Sequence, residues 1–348
     1  MPSLIGPADL APPQPPDPAH LIPPPRFGKV SFATYQPQDP SQQAARERLQ
    51  AFVGSRTWGL HVARPAWPFA RRGKRRSSGS GIYLDGGFGV GKTHLLASAY
   101  GEADTASKHY LGFQELVYLI GVMGRQRAES ELAGTDLLCI DEFELDDPGN
   151  TLIVKSFLAA HMAAGGSVVT TSNTPPEAQG KGRFSAEDFR REIQSLAASF
   201  EVLNIGGPDY RRRLATGDWQ TEAELELLKA KETGPLPGLA LSWGELLTLL
   251  AGVHPSRYGG LLGQVSGVYL VGATTIGTQA EALRFVHFVD KLYDLGLRLR
   301  ATGHVPLKEL FDLGYRHSAY HKKHERCLSR FSELLGEAAG VAEASEAA

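Results

Sequence analysis

A glycine-rich segment between an apolar run and a helical pattern restricts the fold of this chain more than any other feature. It reads Gly86-Gly87-Phe88-Gly89-Val90-Gly91-Lys92-Thr93 and matches the pattern G-x-x-x-x-G-K-[ST] at every fixed position. The preceding run, Gly81 to Asp85, predicts a strand, and a helix is expected to begin near Lys92. A strand, a glycine loop and a helix in this order indicate a parallel α/β domain.

The same segment predicts a site for the phosphates of a nucleoside triphosphate. Glycines allow consecutive backbone N–H groups to turn inward at the helix N-terminus, where they form a nest for phosphate oxygens. The ammonium of Lys92 is expected to reach the β- and γ-phosphates, and the hydroxyl of Thr93 is a suitable ligand for Mg²⁺.

A second apolar run ends in two carboxylates. Leu137 to Ile140 predicts a buried strand, and Asp141 and Glu142 follow it. Because ligands bind at the carboxyl ends of strands in open α/β sheets, we expect Asp141 to hold the magnesium-water shell and Glu142 to polarise the attacking water. A strand candidate at Lys108 to Leu111 fits the branch of P-loop proteins with an added strand and a catalytic glutamate.

Further candidates follow the next predicted strand, Ser167 to Ser172. Asn173 comes directly after it, where a polar side chain can help to hold the water near the γ-phosphate. A turn or capping role before Pro175 is the alternative for Asn173. Arg190 or Arg191 can reach a neighbouring subunit's nucleotide, although two arginines on a helix are more often a solvated face.

The remaining pattern divides the chain into domains. β-rich runs alternate with helical stretches over residues 26–215, which predicts a parallel sheet flanked by helices. Residues 216–240 are polar or rich in glycine and proline and are expected to form a linker, followed by a smaller α+β or helical domain over 241–335. Ten of the 22 prolines lie in residues 1–25, so a disordered tail is expected there, and 336–348 are expected to be flexible.

Composition excludes several classes of protein. Lys and Arg number 36 against 38 for Asp and Glu, so nucleic-acid binding cannot be argued from bulk charge. Two cysteines in 348 residues exclude a disulfide framework and suit a reducing compartment. No apolar run reaches the about 18 residues that a membrane span needs, so we expect a cytoplasmic protein without a transmembrane segment.

A basic run and three histidines are assigned no role in the predicted site. Residues 71–76 carry five positive charges in six positions. We interpret them as a solvated loop, with a patch for nucleic acid, acidic lipid or an acidic partner as the alternative. His317, His321 and His324 share a face of the last predicted helix, beside two lysines, and are interpreted as solvated or packing side chains rather than zinc ligands.

Several short segments beyond these motifs carry a family resemblance that runs from about Pro24 to Leu335. They are Pro25-Arg26-Phe27, Phe32-Ala33-Thr34-Tyr35, residues 109–116, Cys139-Ile140-Asp141-Glu142-Phe143, residues 171–176, Asp209-Tyr210-Arg211, Arg284-Phe285-Val286, Leu292-Tyr293-Asp294 and Ser329-Arg330-Phe331. Together with the glycine loop and in this order, they resemble the ZapE-type AAA+ ATPases, which are bacterial cell-division proteins with mitochondrial relatives.

The resemblance implies an AAA+ core that hydrolyses Mg-ATP and weakens polymers of the tubulin-like protein FtsZ, with recruitment to the division site. It gives Asn173 a sensor role and makes Arg191 an arginine finger that completes a neighbour's site, which requires a homo-oligomer. Arg330 becomes a second sensor that contacts phosphate.

Three alternatives stay open. One is a nucleic-acid-associated, helicase-loader-like AAA+ ATPase that uses the basic run 71–76. Another is a nucleotide-gated adaptor with slow hydrolysis. The third, implied by the mitochondrial relatives, is an ATPase of membrane-protein quality control.

Overall fold

The computed structural model divides the chain into two compact units. The P-loop unit comprises Asp17–Pro23 and Phe27–Asp209, and the C-terminal unit comprises Met1–Pro16, Pro24–Arg26 and Tyr210–Ala348. The structure describes residues 4–13, 21–55, 58, 79–132, 134–145, 148–179, 194–195, 197–208, 217–230, 235–312, 314–315 and 320–346.

Strands and helices alternate through most of these described ranges. The strands are β1 (Leu4–Ile5), β2 (Gly81–Gly86), β3 (Lys108–Gly112), β4 (Leu137–Asp141), β5 (Ser167–Ser172), β6 (Phe200–Ile205), β7 (Gly238–Ser242), β8 (Gly267–Ala273) and β9 (Arg298–Gly303). The α-helices are α1 (Pro40–Gly54), α2 (Lys92–Glu102), α3 (Phe113–Met123), α4 (Arg125–Glu131), α5 (Pro148–Ala163), α6 (Glu222–Ala230), α7 (Trp243–Gly252), α8 (Tyr258–Leu262), α9 (Gln279–Leu295) and α10 (His321–Glu346).

The P-loop unit contains a five-stranded parallel sheet in the order β3-β4-β5-β2-β6. One apolar core joins the sheet to α1 and α2, and a second joins it to α3, α4 and α5. The three middle strands β4, β5 and β2 are almost completely buried, and burial on both faces accounts for the continuous apolar run of β4. The predicted P-loop α/β fold is thereby confirmed.

The C-terminal unit contains a second parallel sheet, in the order β1-β7-β8-β9. Helices α7 and α8 connect β7 to β8, and α9 connects β8 to β9. This alternation makes the unit α/β, and it is more regular than the α+β or helical domain that the sequence predicts over 241–335. The difference arises at β7, whose first residues lie in the Gly/Pro-rich stretch assigned to the linker.

The predicted disordered tail and the predicted linker both contain regular secondary structure where the structure describes them. Leu4 and Ile5, within the predicted tail, pair with Gly238 and Leu239 of β7, within the predicted linker. The predicted linker also contains α6. A side chain at Gly238 would come within 2.9 Å of Leu4 and 2.8 Å of Tyr269, so glycine is what lets these elements approach. The pairing depends on backbone contacts between distant segments, and composition alone does not predict it.

The predicted flexible segment 336–348 contains the last residues of α10, which continues to Glu346. The segment is rich in alanine and glutamate, which have high helix propensity and extend the helix without apolar periodicity. No helix among the described residues has both the length and the apolar character of a membrane span.

His324 on α10 is a buried packing residue. Its ring stacks on Phe311 with centroids 4.6 Å apart and lies 5.6 Å from that of Tyr315, and only 4% of the residue is exposed. Burial, together with the nearby His321 and Lys323, lowers the pKa of His324 to about 4. The side chain is therefore neutral in the folded protein at neutral pH.

We expect this buried histidine to make folding sensitive to acid. Between pH 6.5 and 4, His324 is protonated in the unfolded chain but stays neutral in the folded chain. The free energy of unfolding therefore falls by up to about 3 kcal/mol over this range and then becomes constant. Urea denaturation from pH 7.5 to 4, followed by tryptophan fluorescence, measures this fall. His324→Phe keeps an aromatic ring at the position and should flatten the pH dependence; an unchanged profile in that variant would contradict the assignment.

Candidate active site

The glycine loop after β2 forms a cradle around the side chain of Lys92. The ammonium of Lys92 donates to the carbonyl oxygens of Gly86 at 2.8 Å and Gly87 at 2.6 Å. Gly91 caps α2 in the left-handed region, with φ +87°, where L side chains are strained. The predicted strand–loop–helix arrangement therefore exists, and it places a cation beside the N-terminus of α2.

Tyr35, which precedes α1, packs against this loop and forms a hydrogen bond with it. Its hydroxyl donates to the carbonyl of Val90 at 2.7 Å, and its ring lies where a side chain on Gly91 would be, 2.4 Å from an ideal Cβ. Burial raises the pKa of Tyr35 to about 12, so the donor stays protonated over the physiological range. Site prediction from the motifs missed Tyr35, although its segment belongs to the family resemblance.

Asp141, at the end of β4, lies beside the first turn of α2. One carboxylate oxygen is 3.4 Å from the hydroxyl of Thr93 and also accepts a short hydrogen bond from the hydroxyl of Thr171. The other oxygen accepts from the phenol of Tyr110 at 2.9 Å. Hydroxyl and carboxylate oxygens are the ligands that Mg²⁺ takes in proteins, so the residues present fit this ion.

Glu142 has the backbone conformation of a tight, left-handed turn, with φ +55°. Among the residues that the structure describes, it is the only one besides glycines with a positive φ. Its N–H donates to the Asp141 carboxylate at 3.1 Å and to the Thr171 hydroxyl at 3.0 Å. Such a conformation costs about 1 kcal/mol or more for a residue with a side chain and recurs at functional sites. The half-buried glutamate is thus held at the strand end by its neighbours.

Asn173 joins the end of β5 to the glycine loop. Its side-chain oxygen accepts a hydrogen bond from the ammonium of Lys92 at 2.9 Å. The turn cap expected as its alternative role is made by a neighbour, because the hydroxyl of Ser172 accepts from the N–H of Thr174 at 3.1 Å. Side-chain contacts therefore pair Lys92 with Asn173 and Thr93 with Asp141, at the ends of β2, β4 and β5.

Arg330 has partners inside the C-terminal unit. One of its guanidinium nitrogens makes a short ion pair with Asp290, which also binds Arg326 at 2.5 Å, and the Arg330 side chain is 9% exposed. Breaking a buried ion pair is costly, by about 3–5 kcal/mol. A phosphate contact by Arg330 therefore requires that the guanidinium leave or share Asp290.

Other predicted features lie outside the described residues. These are Arg190 and Arg191, the segment Asp209-Tyr210-Arg211 and the basic run 71–76.

The parallel sheet, the phosphate loop and the acidic strand end together define a P-loop ATPase. The family model described as AFG1-like ATPase matches residues 21–225 and 213–339. This chain therefore belongs to the AFG1-like ATPase family, and it is an ATPase.

Two relatives illustrate the range of this similarity. Cell division protein ZapE of Escherichia coli K12 is 27% identical over 358 residues, which cover 88% of this chain and 94% of that protein. Lactation elevated protein 1 homolog B of Danio rerio is 28% identical over 216 residues, covering 54% of this chain and 43% of that protein. The resemblance to ZapE-type AAA+ ATPases is thus confirmed.

Solved structures show only weak likeness. The crystal structure of DnaI matches with a TM-score of 0.40 and 18% identity, over 52% of this chain and 94% of that chain. AMPPCP-bound DnaA from Aquifex aeolicus matches with a TM-score of 0.38 and 13% identity, over 59% and 55%.

The Tyr110 hydroxyl should tune the magnesium requirement through Asp141. Tyr110→Phe removes the donor to the Asp141 carboxylate but keeps the ring, and losing such an orienting partner typically costs 10- to 100-fold in metal affinity or activity. We expect the Mg²⁺ concentration for half-maximal ATPase activity to rise about tenfold, as measured by phosphate release at saturating ATP. Tyr100→Phe, a hydroxyl deletion on the adjacent ring, is the matched control. An equal magnesium requirement in both variants would contradict the role of Tyr110.

Proposed function

We propose that this chain couples ATP hydrolysis to the remodelling of a protein partner in cell division, and that the partner is the tubulin-like polymer FtsZ. The observation that carries the proposal is the similarity to the protein named cell division protein ZapE, which extends over 94% of that protein. Both the P-loop and the C-terminal unit are included in this match, so the proposal does not depend on the ATPase motifs alone.

Binding of the triphosphate is assigned to the loop and to the start of α2. The backbone amides from Gly86 to Thr93 hold the phosphates, and the ammonium of Lys92 exchanges loop carbonyls for β- and γ-phosphate oxygens. Thr93 and Asp141 hold Mg²⁺, which neutralises the charge that develops on the phosphates. The contacts of Lys92 with Gly86, Gly87 and Asn173 support this assignment, because they place the ammonium where the loop converges.

Activation of water is assigned to Glu142, and its orientation to Asn173. Asp141 is poorly suited to take a proton from water, since both of its oxygens accept hydrogen bonds from hydroxyl groups. Glu142 is the next carboxylate along the chain and occupies the constrained turn at the strand end. Asn173 is within hydrogen-bond distance of Lys92 and so stands close to the proposed γ-phosphate position.

Arg191 is proposed to complete the site of a neighbouring subunit, where a guanidinium stabilises charge in the transition state. The assignment of this role to Arg191 follows from the family resemblance, and Arg190 is the alternative. This role requires a homo-oligomer.

Glu142→Gln should separate binding from hydrolysis. The amide keeps the size of the side chain but cannot accept a proton, so we expect turnover to fall at least about 100-fold while ATP binding is retained. Phosphate release measures the first quantity, and the fluorescence of a labelled ATP analogue measures the second. Lys92→Ala is the contrasting variant, because it should lose binding itself. Wild-type turnover in Glu142→Gln would remove Glu142 as the general base.

Sedimentation of FtsZ polymers tests the partner. FtsZ from the same organism is assembled with GTP and pelleted with the wild-type chain and ATP, or with Glu142→Gln and ATP. We expect less FtsZ in the pellet with the wild type and no such loss with the variant, since remodelling requires hydrolysis.

An unchanged pellet despite measurable ATP turnover would overturn FtsZ as the partner and leave the ATPase assignment intact. Stimulation of ATPase activity by single-stranded DNA, with a steep dependence on salt, would instead favour the nucleic-acid-associated alternative.

A further inference from the structure

Gln179 is a buried amide in the P-loop unit that neither the motifs nor the family resemblance single out. It follows a short turn of 3₁₀ helix, Pro176–Ala178, and is 2% exposed. We infer that Gln179 is a positioning residue for ATP hydrolysis, because its side chain joins the backbone beside Glu142 to the backbone beside Asn173. The inference rests on the roles proposed above for these two residues.

The contacts of Gln179 fix the orientation of its amide group. The side-chain oxygen accepts from the N–H of Leu145 at 2.9 Å. A backbone N–H can only donate, so this end of the amide must be the oxygen. The side-chain nitrogen then faces the carbonyls of Phe143 and Thr174, each at 3.2 Å, which can only accept.

Two hydroxyl groups complete the environment of the amide nitrogen. It lies 3.0 Å from the hydroxyl of Ser172 and 2.7 Å from that of Tyr83, and the Tyr83 hydroxyl in turn donates to Thr174 at 2.7 Å. Tyr83 belongs to β2, the strand that leads into the glycine loop. The amide therefore connects the segments that follow β4 and β5 with the strand that precedes the phosphate site.

These contacts lie on either side of the two proposed catalytic groups. Glu142 is followed directly by Phe143, and Leu145 lies two residues further. Asn173 lies between Ser172 and Thr174. A hydrogen-bonded bridge at these flanking positions restrains both loops together, and a displacement of about 1 Å at reacting groups can cost about 100-fold in rate.

Packing alone does not account for an amide at this position. The surrounding side chains are mostly apolar and include Phe143, Leu145, Pro176 and Phe200. A buried amide is unfavourable in such surroundings unless it is hydrogen-bonded, whereas leucine would fill a similar volume but remove the partner of the Leu145 N–H and of the Phe143 carbonyl. The side chain is thus suited to a bridging role.

The test compares Gln179→Leu with Gln220→Leu. Gln220 is a buried glutamine of the C-terminal unit, whose side chain accepts from the N–H of Ala301 at 2.7 Å. Both variants lose a buried amide, so both should lower the melting temperature. We expect only Gln179→Leu to lower kcat, by about 10- to 100-fold, while its Kd for a non-hydrolysable ATP analogue stays within about twofold of wild type.

Gln179→Glu provides a second readout that does not depend on tolerance of leucine. Its carboxylate can still accept from Leu145 but cannot donate to the carbonyls of Phe143 and Thr174. Protonation restores a donor, and burial favours the protonated form. We therefore expect kcat of Gln179→Glu, relative to wild type at the same pH, to rise as the pH is lowered from 8 to 6.

The outcomes separate this inference from the proposed function. A folded Gln179→Leu with wild-type kcat would overturn the inference, and so would parallel losses of kcat and nucleotide affinity that follow the melting temperature. If Gln179→Leu does not fold, a flat relative pH profile of Gln179→Glu overturns it. Wild-type turnover in Glu142→Gln would instead remove the catalytic role of Glu142, whatever the Gln179 variants show.

Discussion

The position of β5 between β2 and β4 is the constraint on which the active site depends. Parallel pairing places the carboxyl ends of all three strands at one edge of the sheet, although their loops are 30 to 90 residues apart in sequence. The bond from Lys92 to Asn173 joins the first of these ends to the second, and the bond from Thr171 to Asp141 joins the second to the third. Each polar side chain thus has a partner from a neighbouring strand, and this limits the orientations that it can take.

The sequence predicts the phosphate loop, Asp141, Glu142 and Asn173 as candidate site residues because each is attached to a local pattern. A strand followed by glycines and a helix, or an apolar run that ends in an acidic residue, can be recognised from a segment of about ten residues. Tyr35, Tyr110 and Gln179 have no such pattern. Their partners Val90, Asp141 and Leu145 are 55, 31 and 34 residues away, so only the folded chain brings them together.

In the C-terminal unit, too, the sequence predicts local elements but not the pairing of distant segments. β8, α9 and β9 follow ordinary apolar patterns and were predictable, whereas the two residues of β1 are fixed by pairing with β7 more than 230 residues later. Arg26 is a second residue of the N-terminal region that belongs to the C-terminal unit. It lies 3.8 Å from the ring centre of Tyr293 and forms an ion pair with Glu333 at 2.8 Å, although Phe27 already belongs to the P-loop unit. The proline content of residues 1–25 predicts a disordered tail because proline restricts the local backbone and contains no information about pairing with distant strands.

The conformation of Glu142 connects the energetics of this fold to its chemistry. Glycine would adopt φ +55° without strain, so a glutamate there costs about 1 kcal/mol or more of stability. Hydrogen bonds from the N–H groups of Glu142 and Phe143 to Thr171, and from that of Leu145 to Gln179, stabilise this turn by about 1 kcal/mol each, and they would form equally well with glycine at position 142 because every donor is a backbone N–H. A chain selected only for stability would place glycine at this turn. A carboxylate at this turn is what we expect if Glu142 activates water beside Asp141, as proposed above.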